Sequence, residues 1–285
     1  MDLLNNENDS ARLKIRIEEL VESFICKNTT LFAKPIIGYS NGNDSLYSFF
    51  KQDIGPFYWT PKDAFLIRYP NEIIDSSDIS IISIVLPQTL LTKSMQDSEN
   101  LYPCENWIDS RIAFNTFNIE MTKYIINKLS ESGYKALAPS TMKEWNNRNS
   151  EKYSYASNWS ERHTAYASGL GTFGLCDGLI TSVGKAHRCS SIIVNTKIEP
   201  TKREYNKHTD YCLFYTKQGC DSCIARCPAN AISAAGHNKA KCRQYTLKVT
   251  APKVKSEYNK DSTACGLCQT KVPCASRIPT NMKRD

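Results

Sequence analysis

Eight cysteines fall within 63 residues, at positions 212, 220, 223, 227, 242, 265, 268 and 274. No other feature restricts what this chain can fold into as strongly. Met1 to Asn8 contain neither a basic n-region nor a twin-arginine pair, so export is not expected and the cytoplasm is the expected compartment. Thiols are kept reduced there, which disfavours a disulfide scaffold and points to metal or cluster ligation. Cys26, Cys104, Cys176 and Cys189 lie outside the crowded segment. Each is expected to be a small buried or incidental residue.

The order Cys220-x2-Cys223-x3-Cys227-Pro228 puts three thiols on one loop, with a proline to turn the chain away. In two-cluster ferredoxins the cysteine before that proline ligates the other cluster. Pro228 also suits the first position of a helix expected over 229–234. The usual run has one more cysteine three residues before Cys220, but Lys217 stands there and Cys212 is the substitute on a longer loop. A second run, Cys265-x2-Cys268-x5-Cys274, resembles a degenerate repeat, with Cys242 between the two. Eight thiols match the need of two [4Fe–4S] clusters. Exchanging the last cysteine of each run assigns Cys212, Cys220, Cys223 and Cys274 to one cluster, and Cys227, Cys242, Cys265 and Cys268 to the other. The alternative is two structural zinc sites, for which a Cys-Pro crossover has no purpose.

The 285 residues are 41% hydrophobic and 23% charged, enough for one sizeable core and a smaller appendage. No run approaches the roughly 18 apolar residues that span a bilayer. Helical periodicity follows a cap expected at Asp9 or Ser10, with Leu13, Ile17, Leu20, Val21 and Phe24 on one face. Ser45 to Lys51 reads as a short helix, and residues 55–61 as an aromatic loop. Ile79 to Leu86 reads as a buried strand. A long helix is expected over 108–132, with a stripe of Phe114, Phe117, Met121, Tyr124 and Ile125 and with Gly133 beyond its end. A strand at 134–138, a polar loop at 145–155, a helix at 159–168 and strands near 178–181 and 190–196 complete an α/β domain over 1–200. A cysteine-rich domain follows over 201–285.

Residues 1–200 carry 20 Lys/Arg against 23 Asp/Glu, and residues 201–285 carry 16 against 6. The basic segment could meet nucleic acid or an acidic partner. Anionic clusters would offset part of the excess, and the remainder could be a solvated face or a docking surface for an acidic electron donor. Gly169-Leu170-Gly171-Thr172-Phe173-Gly174 matches G-x-G-x-x-G. Dinucleotide binding needs a strand before such a turn and a helix after it, and here the order is reversed.

At this point the residues resemble a known family. Cys242-Arg243-Gln244-Tyr245-Thr246 and Cys265-Gly266-Leu267-Cys268-Gln269 are similar to the ligand segments of epoxyqueuosine reductases and, more distantly, of reductive dehalogenases. Glu161-Arg162 followed by Gly169-Leu170-Gly171 resembles the loop against the corrinoid in those enzymes. The likeness covers residues 155–278. It implies a nitroreductase-like α/β (α+β) domain holding a cobalamin, followed by a ferredoxin-like domain with two [4Fe–4S] clusters. Glu161, Arg162, Gly169, Leu170, Gly171, Gly174 and Asp177 would then contact the cofactor. Glu161 and Arg162 could equally form an ion pair or helix surface, and Asp177 a turn. His163 and His187 could bind a corrinoid phosphate or ligate cobalt, or be ordinary polar residues.

Tyr155 stands where the family's proton-donating aspartate is expected. It is a different acid, or an ordinary loop residue. The sequence also stops 11 residues after Cys274, short of the family's helical-repeat tail. Three functions follow as expectations. One is a corrinoid-dependent reductase, supplied by a ferredoxin or flavodoxin type donor and acting on a small molecule or corrinoid protein. Another is an electron-transfer or activating protein without its own corrinoid. The third is a tail-less reductase of epoxyqueuosine in tRNA. No membrane partner is expected.

Overall fold

The apolar run near residue 80 becomes the central strand of the molecule. A computed structural model describes residues 2–216 and 219–280, with side chains from residue 9 onward; Lys217 therefore lies outside the described residues. Helix α1 (Asp2–Asn28) leads to β1 (Ile36–Asn41), α2 (Ser45–Ile54), α3 (Pro61–Arg68), β2 (Ser80–Pro87), α4 (Leu90–Ser98) and the long α5 (Glu105–Glu131). Strand β3 (Ala136–Leu137) is followed by a hairpin of β4 (Asn147–Ser150) and β5 (Ser154–Ser157), then α6 (Glu161–Ala167). A second hairpin, β6 (Gly171–Phe173) and β7 (Leu179–Thr181), precedes β8 (His187–Val194). The main sheet runs β1-β2-β8-β3 and is antiparallel throughout.

All of β2 is buried, which explains why its sequence is almost continuously apolar rather than alternating. The period of two still sorts its side chains. Ile82, Ile84 and Leu86 pack with Ile17 and Val21 of α1 and with Met121 and Ile125 of α5. Ile81 and Val85 pack on the opposite face with Phe50 of α2, Phe65 of α3 and Ala165 of α6. The sheet is thus the middle of three layers. Local signals set the helix ends. Thr60 and Asp63 form a reciprocal cap around Pro61, which turns the end of the expected aromatic loop into the start of α3.

Helix α1 begins well before Asp9 and Ser10. The Ser10 hydroxyl accepts the Glu199 N–H at 2.8 Å, a tertiary bond in place of a cap. The expected loop at 145–155 contains β4 and β5, because Ser150 Oγ donates to the Ile54 carbonyl at 2.6 Å and Tyr153 donates to Asp53 at 2.6 Å. Those bonds span about a hundred positions, beyond any periodicity.

Beyond residue 200 come α7 (Ser222–Ala225), β9 (Ile232–Ser233), β10 (Gly236–His237), α8 (Lys239–Tyr245) and α9 (Ala251–Tyr258). The helix expected after Pro228 does not form. Asn230 takes a left-handed conformation (φ 47°), which stops a right-handed helix and leads into β9. The β6–β7 hairpin serves two cores: Leu179 packs beneath the main sheet, and Ile180 packs with Cys212, Cys223 and Val272. The cysteine segment is thereby seated on the sheet domain. Among the described residues no helix is long and apolar enough to cross a membrane.

Candidate functional site

Cys212, Cys220, Cys223 and Cys274 line one cavity. They come from three separated stretches. A turn closed by the Cys212 N–H on Thr209 carries the first, and α7 carries Cys223. Cys274 arrives from the C-terminal segment because Lys185 N–H donates to its carbonyl at 2.9 Å and Ala186 N–H donates to the Ala275 carbonyl at 3.2 Å. That pairing needs Gly184: a Cβ there would lie 2.3 Å from the Ala275 carbonyl oxygen, and its φ of 81° suits glycine.

The other four cysteines gather around Cys265. Burial pushes the Cys265 thiol up to about 11, and the neighbouring Cys242 and Cys227 push it the same way, against Arg226. Cys268 follows it on a single turn, and its pKa is raised first by the neighbouring Cys176 and then by burial. Among the described residues no group of three or more His, Cys, Asp or Glu could hold a single metal ion.

Cys176, expected to be a small buried or incidental residue, is buried between the two sets. Its pKa is held low by the neighbouring Cys223 of one set and Cys268 of the other, against burial. Lys185 Nζ donates to it at 3.2 Å and faces the same cavity. Sequence reasoning missed Lys185 altogether, since an isolated lysine reads as surface.

The residues expected at a cofactor loop also make contacts within the chain. Gly171 lies so close to β7 that a Cβ would sit 2.1 Å from the Ile180 carbonyl oxygen, and Leu170 packs into the core beneath the sheet. Gly169 and Gly174 likewise face the chain itself. This loop is closed against its own backbone on the side where those Cβ atoms would lie. Glu161 and Arg162 diverge: Arg162 donates to the Asp177 carbonyl at 2.5 Å, while both Glu161 oxygens are buried without a hydrogen-bond partner. Burial raises the Glu161 pKa to about 7, opposed by Ser191, Ser140 and Trp159.

Asp177 occupies a left-handed turn position (φ 59°), and its carboxylate meets His237 Nδ1 at 3.0 Å. His237 is raised to about 9 by Asp177 and then by Cys242, so this pair reaches the second cysteine set. His163 packs 4.9 Å from Phe50 and 5.0 Å from Phe173, and burial lowers it to about 3. Burial also lowers His187 to about 4, and its Nε2 bonds the Leu179 carbonyl at 2.8 Å. Tyr155 lies on the exposed hairpin, where its ring supports the Arg243 guanidinium at 4.9 Å and its carbonyl accepts Lys239 Nζ at 3.0 Å.

No protein-family model matches the sequence, and no curated protein matches it. Solved structures do resemble it. A reductive dehalogenase described for B12-dependent dehalogenation aligns with a TM-score of 0.50 at 14% identity, over 82% of this chain and 29% of that one. A catabolic reductive dehalogenase in complex with 3-bromo-4-hydroxybenzoic acid gives 0.51 at 14%, over 86% and 30%. Epoxyqueuosine reductase from Bacillus subtilis gives 0.48 at 15%, over 97% and 70%. The protein shares the mixed α/β fold of the dehalogenases, and it spans 29–30% of their length.

Proposed function

We propose that the protein is an iron–sulfur oxidoreductase. Cys212, Cys220, Cys223 and Cys274 would hold one [4Fe–4S] cluster, and Cys227, Cys242, Cys265 and Cys268 the other. The observation that carries this reading is the convergence of the first four cysteines, from three stretches of chain, on one cavity. Four soft sulfur ligands with no nitrogen or oxygen donor among them suit such a cluster. Bound clusters supply one-electron transfer at potentials that reach down to about −700 mV.

The chain's own residues shape that chemistry. Leu175, Phe214 and Val272 wall the first cavity and limit water, which favours the less charged state of whatever it holds. Cys223 is buried while Cys220 is half-buried, so the Cys220 side is the approach for a donor. The basic balance of residues 201–285 favours an acidic donor of the ferredoxin or flavodoxin type.

A second reading is a corrinoid (cobalamin)-dependent reductase acting on a small molecule or corrinoid protein. The fold shared with a B12-dependent dehalogenase favours it. The closed loop at Gly169–Gly171 favours instead an electron-transfer protein whose acceptor is external.

Anaerobic reconstitution followed by iron and sulfide analysis tests the proposal. About eight of each per chain is expected from two four-iron sites. Cys223→Ala and Cys242→Ala should each lose about half of that, and Cys26→Ala none. Zinc without labile sulfide would overturn the reading. A saturable change in the visible spectrum on adding cobalamin selects the corrinoid reductase; full clusters without that change select the electron-transfer protein.

A further inference from the structure

Arg188 of β8 is a cation without a counter-ion in the chain. Its Nε and Nη2 nitrogens are buried and have no hydrogen-bond partner. Its guanidinium lies over the Trp107 ring at 5.7 Å. One helical turn after Trp107, α5 carries a second cation, Arg111, which acts on Arg188 by repulsion. No carboxylate acts on either arginine among the described residues. Burial and then Arg111 lower Arg188 to about 10, so it stays charged at neutral pH.

The polar groups beside Arg188 are stranded as well. Arg188, Ser190 and Ile192 share the face of β8 that α5 covers. Leu86 of β2 pairs with Arg188, and Gln88 follows two residues on, its N–H donating to the Ala186 carbonyl at 2.9 Å. Ser190 Oγ and both polar atoms of the Gln88 side chain are buried without a partner, and Gln88 is fully buried. Each such group costs about 1–3 kcal/mol, and a charged one more. Water would satisfy Ser190 and Gln88 but leaves two cations unbalanced, whereas an anion answers both needs.

The Nε and Nη2 atoms form one edge of the guanidinium, two parallel donors that match two oxygens of a single carboxylate or phosphate. Arg188 and Arg111 are both half-buried, and Arg111 Nη1 donates to Asn115 Oδ1 at the exposed rim at 2.7 Å, so the pair is reached from solvent beside α5.

We propose that Arg188, with Arg111 at its rim and Ser190 and Gln88 as neutral partners, binds the oxyanion group, carboxylate or phosphoryl, of a small molecule. Trp107 stands between this site and the second cysteine run, since a Cβ on Gly266 would lie 2.1 Å from its ring. No candidate cluster ligand takes part, so the inference stands apart from the iron–sulfur reading.

Isothermal titration calorimetry of the full chain, reconstituted anaerobically, tests it with inorganic phosphate and acetate as probes and chloride at matched ionic strength as the blank. A single saturable site is expected. Binding of phosphate alone assigns a phosphoryl group, binding of acetate alone a carboxylate, and binding of both an oxyanion of either kind. Arg188→Met should weaken the binding at least about tenfold, the loss of two charge-assisted bonds. Arg188→Lys keeps the charge without the fork and should recover only part of the affinity. No saturable binding of either probe, or equal binding in Arg188→Met, overturns the inference whatever the iron count. Should Arg188→Met not fold, Arg111→Met reads the same quantity: its affinity should fall with the second charge, and unchanged affinity there overturns the inference.

Discussion

The Gln96 side-chain amide donates to the Cys265 carbonyl at 2.9 Å, while its oxygen accepts the Cys104 N–H at 2.9 Å. One fully buried glutamine on α4 therefore ties a candidate cluster ligand to the start of α5. Arg226, between Cys223 and Cys227, reaches the same place by donating to the Gln96 carbonyl at 3.0 Å and the Thr270 carbonyl at 3.4 Å. Both cysteine runs lean on the end of α4.

Gln96→Leu should cost about 2–4 kcal/mol, because it orphans a buried carbonyl and a buried N–H at once. Urea unfolding measures this directly. Gln96→Glu keeps an acceptor for Cys104 and should fall between the two. A loss below about 0.5 kcal/mol in the leucine variant, the range of ordinary surface changes, would show that these bonds are not structural.

Gly184→Ala forces a Cβ to within 2.3 Å of the Ala275 carbonyl oxygen at a φ of 81°. The strand-like pairing that delivers Cys274 must then open, and the variant should lose more than about 2 kcal/mol. It should also lose about half of the reconstituted iron. Gly133→Ala is the control: its φ is 86° but nothing lies within 4 Å of the new Cβ. It should cost only the backbone term of about 1–2 kcal/mol and no iron.

The buried carboxyl of Glu161 makes stability depend on pH. Its pKa rises from 4.5 unfolded to about 7 folded, so between those values the unfolded chain binds fewer protons than the native one. Its contribution to stability is complete below about 4.5 and is lost as the pH rises through about 7. The loss is on the order of 3 kcal/mol. Glu161→Gln should remove that slope, seen as a flatter dependence of the urea midpoint on pH than the wild-type chain shows. Parallel curves for the two proteins would mean that the carboxyl is not desolvated.

Tyr155 offers its ring to Arg243 and its carbonyl to Lys239. Tyr155→Phe should leave stability unchanged, whereas Tyr155→Leu should lose about 0.5–1 kcal/mol with the cation–π contact. Thermal unfolding of the pair distinguishes ring from hydroxyl. A large loss in the phenylalanine variant would restore the hydroxyl to the list of working groups.

Some of this architecture was legible in the sequence because its cause is local. The apolar run ending at Pro87 becomes β2, and the aromatic stripe from Phe114 to Ile125 becomes the buried face of α5. Where local signals mislead, a long-range bond had prevailed: Ser10 caps nothing because it accepts from Glu199, and the polar stretch near Ser150 is a hairpin because Ile54 receives its hydroxyl. The glycine loop is a further case. Its missing Cβ atoms signal close approach, and the approach seen is to the Ile180 carbonyl of the same chain.

By itself the sequence determined that eight thiols crowd one segment and that a buried strand and a long amphipathic helix precede it. Residue type, spacing and periodicity are properties of neighbours along the chain. Only the tertiary structure decided that Glu161 is stranded without a partner and that Lys185 is buried beside sulfur. Those facts are set by folding that brings distant segments together and removes water from between them. Desolvation, the quantity that turns an ordinary lysine or glutamate into an unusual one, exists only after that has happened.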